Sequence, residues 1–203
     1  TSVLMERYKY LIEELKVPSE DILVLVANHR QKEKWELHCN PPYSGLLWIT
    51  TYYGFIRDEL TVFYPYVLES CSEIKNKSIK PFFLTFECSK FLLEKAIEGR
   101  RKIKGEFSSI ASSDSRIASE LASVFTAASV SGTGQDEISK RLSSALEVRD
   151  TTREQLYGEV QELIADYRKK CLELGVFDTA LAAEVYNRYL LKNENYIKKL
   201  HDR

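Results

Sequence analysis

Apolar residues recur at helical spacing along most of the chain. In residues 2–17, Leu4, Tyr8, Leu11, Ile12 and Leu15 share one face of a 3.6-residue period, and Pro18 closes the stretch. Ser19 followed by Glu20 and Asp21 has the form of an N-cap with first-turn acids, which predicts a second helix from there. Residues 22–27 (ILVLVA) fit either a continuation of that helix, the reading their surroundings favour, or a short strand paired with WELHC across a loop. Asn40-Pro41-Pro42 is a break. Beyond it Ser44 is placed to cap a helix through Leu46, Leu47, Ile49, Tyr53, Phe55, Ile56 and Leu60 toward Phe63, which Pro65 must kink or divide. Pro81 suits the first turn of the next helix. Phe82, Phe83, Leu84, Phe86, Phe91, Leu92, Leu93, Ala96 and Ile97 cover most of that helix, so it is expected to be the most enclosed element of the N-terminal half.

Beyond Gly105 the pattern thins. Residues 108–134 are rich in Ser, Ala and Gly, with Ile117, Leu121, Val124 and Phe125 at helical spacing between them, which predicts a short helix flanked by two loops. Thr133-x-x-Asp136 resembles a capping box, and helix is expected from there to Gly175. Within it Leu156, Val160, Leu163, Tyr167, Cys171 and Leu174 form a near-heptad seam suited to a partner helix. Residues 147–155 interrupt the apolar positions, and Thr151-x-x-Glu154 could start a new helix, so one rod of about 60 Å and two shorter pieces both fit. Gly175 suits the residue after a helix, and Asp178 caps a last helix carrying Leu181, Val185, Tyr189, Tyr196, Ile197 and Leu200.

The expected fold is therefore all-α, an irregular helical bundle with a long C-terminal antiparallel helical hairpin. Its regions are an aromatic-rich part (1–105), a Ser/Ala/Gly-rich connector with a short helix (106–134) and the extended hairpin (135–203). Eight glycines and five prolines in 203 residues suit long helices better than a turn-rich β fold. No internal repeat marks a solenoid.

Charge is nearly balanced, 29 Lys+Arg against 30 Asp+Glu, which argues against a nucleic-acid binder that relies on overall basicity. No apolar run is long enough to span a membrane and no secretory signal is visible, so a cytoplasmic location is expected. Cys39, Cys71, Cys88 and Cys171 lack paired spacing and read as reduced, mostly buried thiols.

Candidate chemistry is sparse. His29, His38 and His201 sit in no nucleophile elbow, and the His38-Cys39 pair has no second pair at metal-ligand spacing. Gly132-Thr133-Gly134 is too short for a phosphate loop, and Asn76-Lys77-Ser78 reads as a chance sequon. No enzyme, cofactor or metal is expected. Charge distribution says more. Residues 75–106 hold nine basic residues against four acidic, while residues 1–74 hold seven against eleven. Arg100, Arg101, Lys102 and Lys104 cluster at the end of the Phe-rich helix, and Arg168, Lys169 and Lys170 cluster before Gly175. Cations at a helix C-terminus complement its dipole, and the same groups could meet an anionic lipid or an acidic partner.

The expected function is a non-enzymatic interaction domain, an adaptor or scaffold part of a larger intracellular protein, whose seam (Leu156, Val160, Leu163, Tyr167, Leu174) meets a protein partner or a second copy. A peripheral membrane module of the BAR type, binding anionic lipid through Arg100, Arg101, Lys102, Lys104, Arg168, Lys169 and Lys170, is the alternative. A helical pocket for an apolar ligand among Trp48, Phe82, Phe83 and Phe86 is the third reading.

Overall fold

A computed structural model describes residues 2–39, 47–78, 80–145 and 151–202. It is an all-α helical bundle with nine α-helices and four short strands among those residues. The chain divides into two units, residues 1–59 with 198–203 and residues 60–197. The boundary passes through the third helix.

In the first unit, α1 (Ser2–Glu13) occupies the expected span. Residues 19–21 form only a 3-10 turn, after which β1 (Val24–Val26) is a strand. Both expectations for residues 22–39 are corrected here: WELHC belongs to helix α2 (His29–Cys39), and β1 pairs in parallel with β2 (Ile49–Thr51), Val24 opposite Ile49. The β-branched run finds its partner some 25 residues away, across a crossover helix, which no local periodicity reveals. Asn28 Oδ1 accepts from Gln31 N, and Gln31 Oε1 accepts from Ala27 N, so α2 has a reciprocal start. Met5, Tyr8, Val26, Trp35, Cys39 and Ile49 form the core of this unit. The Tyr8 and Trp35 rings meet edge to face at 5.7 Å.

The helix expected from Ser44 starts later, because residues 49–51 are spent on β2; Ser44 itself lies outside the described residues. Helix α3 (Tyr52–Ser70) bends at Phe63 (φ −105°, ψ 18°), two residues before Pro65, as a proline that lacks an N–H requires.

In the second unit, Pro81 precedes β3 (Phe82–Phe83), and α4 (Phe86–Arg101) is capped by Thr85, whose hydroxyl accepts from Cys88 N. Strand β4 (Val176–Phe177) pairs in parallel with β3. The Phe-rich helix is not the enclosed one. Phe82, Phe86 and Phe91 are more than half exposed, whereas α8 (Thr179–Val185) buries all but its first residue. Its Ala180, Ala182 and Ala183 let neighbours close in on every side, and such small residues give little apolar signal in a sequence.

The Ser/Ala-rich connector is also a core element. Helix α5 (Asp114–Val130) has 17 residues, packs on α4 and buries Ile117, Ala118, Leu121 and Phe125. Its serines turn inward on its own backbone: Ser119 and Ser123 donate to Ser115 O and Ser119 O. The capping-box reading of Thr133 and Asp136 is corrected, since Gly134 occupies the cap of a 3-10 turn (Gln135–Glu137) and Asp136 pairs with Arg188. The stretch to Gly175 is two helices, α6 (Ile138–Ser144) and α7 (Thr151–Leu174). Gly175 has φ +68°, and Asp178 Oδ1 accepts from Leu181 N at 2.7 Å, so the turn and the cap fall where the residue types place them. Beyond them the second arm is divided into α8, a π turn (Tyr186–Leu190) and α9 (Glu194–His201).

Candidate functional site

The arginines of the two basic clusters are consumed by the fold. Arg100 bridges Glu159 at 3.2 Å and Glu162 at 3.1 Å. Arg101 pairs with Asp114 and donates to the carbonyls of Ile110 and Ser112. These contacts tie the end of α4 to α7 and to the start of α5. Glu159 also accepts from the Phe107 and Glu106 amides, and those bonds with Arg100 hold its carboxyl below the usual range.

Arg168 is buried inside an ion network. Its Nε donates to Glu184 at 2.8 Å and its Nη1 to Glu73 at 2.8 Å. Burial alone would lower the guanidinium pKa, but Glu73 and Glu184 outweigh it and hold the group charged. Glu184 in turn accepts from Gln135 N, and Tyr189 donates to Glu73. The charges of Arg100, Arg101 and Arg168 are thus met by carboxylates and carbonyls of their own unit. Lys102, Lys104, Lys169 and Lys170 are exposed, Lys102 with Glu98 at 3.4 Å.

The apolar seam is likewise used internally. Leu163, Tyr167 and Cys171 are buried within their own unit, and Leu156 and Val160 are half-buried. Tyr167 donates to Asp178 at 2.7 Å. Burial first, then the neighbouring Asp178 charge, raises the Tyr167 phenol; the same two causes push the Cys171 thiol up to about 12. A thiol so placed is inert.

What survives of both predictions meets at one place. A groove of about 250 Å³ runs between α4 and α7. Leu92, Ala96 and Gly99 line it from α4, with Ile103 just beyond the helix end, and Leu163, Tyr167, Cys171 and Leu174 line it from α7 at helical spacing. Arg100 and Lys170, one cation from each predicted cluster, line it with Lys95 and Asp166. Ile103 and Leu174 are about half exposed. Above Gly99 a Cβ would meet nothing within 4 Å, so the floor is open there. Lys95, Gly99, Ile103 and Asp166 were not singled out from the sequence, although Lys95 stands one turn before Gly99 on α4.

Other predicted features serve structure. The Asn76 amide donates to Leu174 O and its oxygen accepts from Ser78 N. Gly132 N and Thr133 N donate to Ser129 O and Ala128 O, so that loop does not aim those amides at a ligand. Of the residues named for an apolar pocket, Trp48 pairs with Phe55 in the first unit, Phe83 pairs with Phe177 in the second, and Phe82 is two-thirds exposed. Cys39, Cys71 and Cys171 are buried free thiols and Cys88 is exposed. Among the described residues no three His, Cys, Asp or Glu side chains group to hold a metal, and no helix is long and apolar enough to cross a membrane. Comparison with protein-family models and with curated proteins yields no match for this chain.

Proposed function

We propose that this protein is a non-enzymatic interaction module whose C-terminal unit takes a partner helix in the α4–α7 groove. The observation that carries the reading is the open groove above Gly99, walled by two helices that offer apolar residues in register. Glycine in a helix interior costs about 1 kcal/mol relative to alanine, and here it clears the floor for a close backbone approach. A third helix laying an apolar stripe into this groove would follow the ordinary helix-in-groove mode, with Ile103 and Leu174 as flanking contacts. Lys170 on the rim favours a partner with carboxylates beside that stripe. The internal pairing of Arg100, Arg101 and Arg168 speaks against the membrane reading.

Site-specific photo-crosslinking in cells tests this directly. A photoreactive phenylalanine at Ile103 or Leu174 is expected to give one discrete adduct, and the same group at Leu142 on α6, also exposed, is expected to give none. Gly99→Leu, which fills the groove from an exposed helix face, is expected to abolish the adduct while the protein stays folded. Equal adducts from Leu142, no adduct from either groove position, or adducts that persist in Gly99→Leu would each refute the proposal.

A further inference from the structure

A larger cavity lies on another face of α4, enclosed with α5 and α8. Its volume is about 640 Å³, in the range of small-molecule sites. Leu84, Phe86, Leu93, Phe125, Ala122 and Ala180 make its lining mainly apolar. Phe86 is 60% exposed on its edge, an unusual position for a large apolar side chain with nothing to cover it.

The polar groups of the lining share one property. Ser89, Ser123 and Thr126 each donate their hydroxyl proton to the carbonyl four residues earlier, at 3.0, 3.1 and 2.9 Å. Each proton is directed into its own helix, so the lone pairs are what each hydroxyl can offer a ligand. Asp178 adds a carboxylate at the mouth of α8, accepting from Tyr167 Oη and from Leu181 N. Among the described residues no ion pair holds it, and burial, with the Glu184 charge, raises its pKa. These four side chains thus give the cavity acceptors, and a bound cation would favour the charged form of Asp178. Phe86 and Phe125 add ring faces, which attract cations as well.

We infer that this cavity binds an apolar molecule carrying a protonated amine, with its body among Phe86, Leu93 and Phe125 and its ammonium toward Asp178 and the hydroxyls. An ammonium brings three donors and no acceptor, the complement of that lining. A carboxylate ligand of equal length would place like charge against Asp178 and is rejected. The site is separate from the α4–α7 groove and stands whether or not a helix binds there.

Three probes of one chain length test it by titration calorimetry at neutral pH, below micellar concentration: dodecylammonium, dodecanol and dodecanoate. Dodecylammonium is expected to bind about tenfold tighter than dodecanol, and dodecanoate weakest. Asp178→Asn keeps an acceptor for the α8 cap and should bring the amine to the level of the alcohol. Ala122→Phe, which fills the cavity from α5, should remove binding of the amine while circular dichroism stays unchanged. The inference is overturned if the three probes bind equally, if dodecanoate binds as tightly as the amine, or if none binds. Amine binding that survives Ala122→Phe would place the site elsewhere and overturn it as well.

Discussion

The cores of the two units are built from different kinds of group. The N-terminal unit is built on a cluster of hydrophobic residues, Met5, Tyr8, Val26, Trp35, Cys39 and Ile49, around a strand–helix–strand element, and buries Glu59 outside that cluster. The C-terminal unit has a large apolar core too, but Arg168, Glu184 and Asp178 are sealed within it. An apolar cluster gains by shedding water and tolerates many arrangements of similar volume. A buried ion network gains little net stability, because desolvation consumes most of the attraction, yet only one arrangement satisfies every group. The unit that carries both cavities is therefore the one whose helices are tied together by directional bonds. Arg168 joins α7 to α8 and, through Glu73, to the segment after α3.

Breaking each interior in turn sharpens that contrast. The largest effect is expected at Trp35, 4% exposed at the centre of the small cluster, where Trp35→Ala should cost about 3–5 kcal/mol. Hydrogen exchange would show the loss as deprotected amides in β1 and α2; a cost below about 1 kcal/mol would contradict a core centred on this ring.

Arg168→Met comes next, at about 3 kcal/mol in urea unfolding, since it strands Glu184 in the interior. Arg188 Nη1 stands 3.6 Å from Glu184 and offsets part of the loss. Adding Glu184→Leu to Arg168→Met should recover stability, whereas adding a second cavity to the apolar cluster should not. Simple additivity of the two charge substitutions would remove the distinction between the units.

The smallest effect is a pH dependence confined to the C-terminal unit. The hydrogen bond from Arg168, helped by its charge and by Tyr189, lowers the Glu73 pKa from its ordinary 4.5, against a raising effect of burial. A lowered folded-state pKa means a contribution present above about pH 4.5 and lost as pH falls through the folded value. Stability should decline on acidification below that point, and Glu73→Gln should flatten the decline. An unchanged acid limb in Glu73→Gln would exclude the carboxylate as its source.

Much of the helical framework was legible because its signals are local. Gly175 at the end of α7, Asp178 as a cap and Pro65 as the cause of a bend each act within a turn or two of their own position. The strand at residues 24–26 was legible only as the less favoured alternative, and its partner not at all, since its ladder partner is Ile49–Thr51 beyond an intervening helix. The enclosure of α8 was hidden for a related reason: Ala180, Ala182 and Ala183 are neutral to any periodicity, and only their neighbours make them core. Of the predicted interaction residues, Arg100, Lys170, Leu163, Tyr167 and Leu174 come together at the α4–α7 groove. Leu156, Val160, Arg101, Lys102, Lys104, Arg168 and Lys169 do not line it.

The sequence by itself determined the end of α7 at Gly175, the cap of α8 at Asp178 and the bend of α3 before Pro65, because a glycine turn, a cap and a proline act through bonds within one turn of backbone. Which cations remain free for a partner was decided only in the tertiary structure. Arg101 and Lys104 belong to one cluster, yet one is locked to Asp114 and two carbonyls while the other lies exposed. Their fates differ because a charge is spent or spared by the carboxylates that folding brings to it from elsewhere in the chain, and no spacing within the cluster records those arrivals.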